Sequence, residues 1–135
     1  MCGIAGFYQF NTQCNSEAAI QLMTSKLIHR GPDDQGTYVN QNVALGHRRL
    51  SILDLSNLGH QPMFTDERDL VIVYNGEIYN FLILRHELLA LGHTFKSQTD
   101  TEVILKGFKE WGVALFNKLN GSFCCYSDSC FGYLY

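Results

Sequence analysis

Apolar positions change their spacing several times along the chain, and each change marks an element. Residues 2–9 alternate apolar with small or polar side chains, the two-residue period of a strand. Over 17–28 the spacing widens, placing Ile20, Met23 and Leu27 on one helical face. His29-Arg30-Gly31-Pro32 then supplies the cations, glycine and proline that stop a helix. Short strands are predicted at 37–40 and 43–47 around an Asn40-Gln41-Asn42 turn, and RLSIL at 49–53 alternates again. DLVIVYN at 69–75 is a continuous apolar run rich in β-branched residues, which predicts a buried strand.

Asn80 can cap a helix over 81–91 with Phe81, Leu84, Leu88 and Leu91 inward and Gly92 at its end. Thr99 and Glu102 have capping-box spacing for a second helix through Trp111, with Ile104, Phe108 and Trp111 on one face. Asn120-Gly121 opens SFCCYS, and Asp128-Ser129 separates it from CFGYLY, which predicts a terminal hairpin. Strands clustered in pairs between helices predict a mixed fold of largely antiparallel sheets with helices on their outer faces.

Composition narrows the function classes. The 135 residues suffice for one domain or a piece of one, and 46% apolar with 17% charged residues is a globular balance. A chain of this length buries roughly two-thirds of its unfolded surface. A net charge of −3 argues against a nucleic-acid or membrane-surface partner. No apolar run reaches the ~18–20 residues that span a bilayer, and no basic segment leads an apolar stretch at the N-terminus. Cys2, Cys14, Cys124, Cys125 and Cys130 are odd in number and irregularly spaced, which favours a reducing cytoplasm over a disulfide scaffold. Cys124, Cys125 and Cys130 lack zinc-site spacing and read as core strand residues; no metal site is expected.

Several motifs carry chemistry beside a plainer structural reading. Cys2 could be a buried core thiol. With Met1 removed it would instead carry a nucleophile and its own base, the α-amine, on one carbon. HRGPDDQG at 29–36 is explained by a helix stop and a turn, apart from its Arg30, Asp33 and Asp34 charges. In GHRRLSILD, strand alternation puts Arg49 and Ser51 on one side and Leu50 and Ile52 on the other; a guanidinium suits a carboxylate, or merely a solvated strand entrance.

NGEIYN at 75–80 is either a hairpin turn or an oxyanion hole. In the second case the Asn75 side-chain N–H and the following backbone N–H converge, Gly76 admits the ligand closely, and Glu77 accepts an ammonium group. Asp100, in the first turn of its helix, also complements the helix dipole.

In this order the motifs resemble the N-terminal glutaminase domain of the class II glutamine amidotransferases, most closely its asparagine-synthetase branch. The resemblance rests on Cys2-Gly3-Ile4, HRGPD at 29–33, RRLSILDL at 48–55, QPM at 61–63, NGEIYN at 75–80 and TDTEV at 99–103. It implies an α+β fold, the four-layer αββα sandwich of N-terminal-nucleophile hydrolases, over a single domain at 1–135.

It also implies roles. Cys2 attacks the side-chain amide of L-glutamine, and Asn75 with the Gly76 N–H stabilises the oxyanion. Arg49 holds the substrate carboxylate, Glu77 and Asp100 hold its ammonium, and the backbone of Leu50, Ser51, Ile52 and Leu53 lines the pocket. The ammonia serves ATP-dependent asparagine synthesis from aspartate. No cofactor is implied for this segment, because ATP and magnesium belong to a synthetase domain for which the sequence has no Ser-Gly-Gly loop. The family's domain continues beyond CFGYLY, so the resemblance implies a truncated domain. The alternative is a catalytically silent fragment that binds a synthetase-type partner. The oligomeric state is left open.

Overall fold

Successive residues of the central strands face different neighbours, and that alternation builds the layers. A computed structural model describes residues 2–9, 15–51 and 56–129. Its elements are β1 (Gly3–Tyr8), α1 (Ser16–Ser25), β2 (Asp34–Asn40), β3 (Val43–Arg49), β4 (Met63–Phe64), β5 (Leu70–Ile78), α2 (Phe81–Ala90), α3 (Asp100–Trp111) and β6 (Gly121–Ser129), with short 3-10 segments at Asn57–Gly59 and Gly112–Asn117. The strands form two three-stranded antiparallel sheets, ordered β1-β3-β2 and β4-β5-β6.

Val43 and Leu45 of β3 pack with Val71 and Val73 of β5 between the sheets, whereas Ala44 turns the other way and packs with Ile20 of α1. Ile72, Tyr74 and Ile78 point outward from β5 into the core shared with Leu84 and Leu88 of α2 and Val103 and Ile104 of α3. The order is helix, sheet, sheet, helices: the expected αββα sandwich.

Local differences from the sequence reading have physical causes. The inward stripe of α1 is Ile20 and Thr24, continued by the half-buried Leu27 in the turn that follows, with Met23 exposed. Spacings 20/23/27 and 20/24/27 are both helical; the small Thr24 side chain lies against Gly46, and its hydroxyl is satisfied by Ile20 O at 2.7 Å. Leu91 is exposed because α2 ends at Ala90. The Asn80 side chain, rather than capping α2, donates to Lys118 O (2.8 Å) and accepts from Asn120 N (2.9 Å).

The capping box is half formed. Thr99 Oγ1 accepts from Glu102 N, but the Glu102 carboxylate serves Lys96 N, Ser97 N and the Ser97 hydroxyl. Cys124 is exposed and Cys125 half-buried, so neither is a fully buried core residue; burial pushes the Cys125 thiol up from its ordinary value. Cys130 and the second strand of the terminal hairpin lie outside the described residues, as do Cys14, Ile52 and Leu53.

The largest difference concerns Asn75-Gly76-Glu77. These residues do not turn. β5 runs straight through them to Ile78, paired along its length with β6: Asn75 with Cys124, Gly76 with Phe123, Glu77 with Ser122. A continuous partner strand overrides the local turn preference of Asn-Gly.

Candidate active site

In an antiparallel strand, alternate residues direct both backbone polar groups to the same edge. Leu70 and Ile72 of β5 face β4, where Thr65 N donates to Leu70 O (3.1 Å) and Met63 opposes Ile72. Tyr79 N, on the other parity, donates to Asn120 O (2.8 Å) on the β6 side. Tyr74, Gly76 and Ile78 therefore face the β4 edge, but β4 has already ended.

Side chains take over where the strand stops. Gln61 Oε1 accepts from Tyr74 N at 2.6 Å, and His47 Nε2 lies 3.2 Å from Tyr74 O. Ile78 N donates to Asp100 Oδ2 at 3.2 Å. Gly76 N–H falls between these, and no described side chain accepts it. The Asn75 side chain leaves the strand on the face toward the other sheet. The close approach that requires glycine at 76 is to β6: a Cβ there would overlap Phe123 Cβ and Ser122 O. Packing against β6 is therefore a reason for glycine at 76 that the sequence reading does not supply.

Cys2 precedes β1 and meets the segment that follows β3. Leu50 N lies 3.4 Å from Cys2 Sγ, and Sγ lies 3.7 Å from Leu50 O. Arg49, at the end of β3, is buried and donates from Nη1 to Ser56 O at 2.7 Å. Gly59 packs against its guanidinium, where a Cβ would overlap Nη2.

The HRGPD motif braces this corner. Asp33 N donates to Arg49 O (3.1 Å), and Asp33 Oδ2 accepts from Ser51 N (2.8 Å). Asp34 Oδ2 pairs with His60 Nδ1 at 2.7 Å.

Part of this set borders one cavity of about 430 Å³ between the open edge of β5 and the end of β3. Of the site residues expected from sequence, Cys2, Arg49, Leu50, Asn75, Gly76, Glu77 and Asp100 line it. Ser51 is outside the lining, its backbone N–H held by Asp33. Ile52 and Leu53 lie outside the described residues.

Gln61, Tyr74 and Gly59 line the cavity as well, and the sequence pattern gives none of them a role. In sequence, Gln61 stands out only as part of QPM in the family resemblance. Tyr74 reads in sequence as the apolar end of a strand; burial, and then the Asp100 carboxylate, push its hydroxyl well above its ordinary value. Chemically, the cavity offers a thiol, a guanidinium, two carboxylates and an open N–H edge. That set complements a small zwitterion carrying an electrophilic carbonyl.

The model of the glutamine amidotransferase domain family matches residues 1–128. The chain belongs to this family. Among curated proteins, this amidotransferase chain is 39% identical over 126 residues to glutamine-hydrolyzing asparagine synthetase 1 of Bacillus subtilis, covering 91% of the chain and 20% of that protein. It is 39% identical over 124 residues to asparagine synthetase B of Escherichia coli, covering 91% and 22%. With asparagine synthetase 1 of Arabidopsis thaliana the identity is 36% over 124 residues, covering 91% and 21%. The chain thus spans about a fifth of the length of these relatives.

Among solved structures, it matches the Bacillus subtilis glutamine phosphoribosylpyrophosphate amidotransferase complexed with ADP and GMP. That match has a TM-score of 0.57 and 22% identity over 67% of this chain and 22% of the other, a likeness of fold. Among the described residues, no helix is long and apolar enough to cross a membrane.

Proposed function

We propose that this amidotransferase domain hydrolyses L-glutamine to glutamate and ammonia, with Cys2 as the nucleophile once Met1 is removed. The observation that carries the reading is the cavity itself. Cys2, Arg49, Glu77, Asp100 and the Asn75–Gly76 edge, distant in sequence, line one space. Arg49 takes the substrate α-carboxylate, while Glu77 and Asp100 take the α-ammonium. This directs the side-chain amide toward Cys2.

The thiol proton passes to the Cys2 α-amine, and the sulfur attacks the amide carbon. The Asn75 side-chain N–H and Gly76 N–H donate to the oxyanion, a contribution of about 2.7–4 kcal/mol for one such donor. The C–N bond breaks, the α-ammonium returns its proton to the departing ammonia, and a thioester remains. Water, deprotonated by the same amine, attacks the thioester carbonyl, and glutamate leaves as the thiol reforms. The named activity of the relatives points to asparagine synthesis as the use of the ammonia, with ATP and magnesium acting in a separate synthetase portion. Cytoplasmic location follows from the same reading.

Incubating the Met1-processed chain with L-glutamine and measuring glutamate tests this. Turnover that Cys2→Ala abolishes supports it, as does labelling of Cys2 by a diazo-ketone glutamine analogue. A folded chain that neither turns over nor is labelled refutes it and leaves the silent-fragment alternative.

A further inference from the structure

We infer that Tyr74 is a positioning residue for amine recognition: its hydroxyl holds Asp100 so that one carboxylate oxygen faces the substrate's α-ammonium. The inference rests on the glutaminase reading above and deepens it. Tyr74 and Asp100 are both buried, on β5 and in the first turn of α3. Tyr74 OH donates to Asp100 Oδ2 at 2.8 Å, and Ile78 N donates to the same oxygen at 3.2 Å.

Two donors on Oδ2 fix the carboxylate's rotation. Among the described residues none donates to Oδ1, while Asp100 lines the cavity. Tyr74 is itself immobilised: Gln61 Oε1 accepts from its N–H at 2.6 Å, and His47 Nε2 donates to its carbonyl at 3.2 Å. The phenol therefore reaches Asp100 from a main chain pinned on the open edge of β5. Asp100 accordingly needs no adjustment when an ammonium group arrives, which is preorganisation of the charge that binds it.

The test compares two ligands that differ only at the amine: L-glutamine and glutaric acid monoamide. Affinities are measured by calorimetry on the full chain carrying Cys2→Ala, which prevents turnover, with and without Tyr74→Phe. The expected result is glutamine binding weakened about tenfold by Y74F, with the monoamide changed less than about twofold. In an Asp100→Asn background, Y74F should then have no further effect on glutamine.

Equal losses for both ligands, no loss for glutamine, or an undiminished loss with Asp100→Asn overturns the inference while leaving the glutaminase reading intact. Absence of glutamine binding before Tyr74 is altered refutes that reading, and this inference with it. Should Y74F fail to fold, Gln61→Met releases the Tyr74 main chain while keeping its ring. It carries the same ligand-selective expectation, and an unselective loss refutes it.

Discussion

Acid should destabilise this domain through His47 before its carboxylates dominate. The side chain is fully buried on β3, and Nδ1 has no hydrogen-bond partner among the described residues. The Tyr74 carbonyl only accepts, so Nε2 carries the proton and Nδ1 is the bare acceptor of a neutral ring. Burial lowers the pKa from 6.5 to about 4; the Tyr74 carbonyl and Asp34 oppose that shift, and His60 and Arg49 reinforce it.

The unfolded chain therefore takes up this proton first. Stability is fully present above pH 6.5 and declines as pH falls from 6.5 toward 4. Below about 4 both states are protonated and the loss is complete. At about 1.4 kcal/mol per pH decade, the interval is worth roughly 3 kcal/mol, of which about 2.5 is lost by pH 4.5. Urea unfolding of the wild-type chain and of His47→Gln between pH 8 and 4.5 measures it. Groups elsewhere titrate in both proteins and cancel in the difference. The two stability curves should converge toward acid by about 2.5 kcal/mol. Parallel curves would refute the assignment of His47 as a neutral buried ring.

Gly59→Ala should push the Arg49 guanidinium off its seat and raise KM for glutamine at least about tenfold with kcat nearly unchanged, read by steady-state glutaminase kinetics. Glu102→Ala strips the acceptor from Lys96 N, Ser97 N and the Ser97 hydroxyl, and should cost about 3 kcal/mol in denaturant unfolding. Leu88→Ala opens a cavity in the α2–α3 core and should cost roughly 2–5 kcal/mol by the same measurement, leaving the KM for glutamine unchanged in the variant that remains folded.

Much of the architecture was legible because periodicity reports which face of an element is buried. The apolar run around Val71–Val73 and the Leu84/Leu88 spacing both led to the observed core. Of the two readings open for Asn75-Gly76, the hairpin turn fails because turn preference is local, whereas the pairing of β5 with β6 joins residues nearly fifty positions apart. Met23 lies outside the inward stripe that its spacing predicts, because two helical spacings are equally allowed and only the contact of Thr24 with Gly46 decides between them.

The chemical groups of the cavity were legible as types: a thiol, an arginine, two acids and an Asn-Gly pair. Their supports were not. Gln61 meets Tyr74 only because β4 ends at a particular rung, and Gly59 matters only because Arg49 folds over it. No pattern along the chain encodes either encounter.

The two-residue length of β4 has a wider consequence. A neighbouring strand would satisfy the edge of β5 with backbone groups that are the same whatever the sequence. Here Gln61, His47 and Asp100 perform that task, so the edge is written in side chains and each position can be altered independently. The rest of the sheet is generic scaffolding, and this margin is addressable: ligand preference can diverge there residue by residue without shifting the register of any strand.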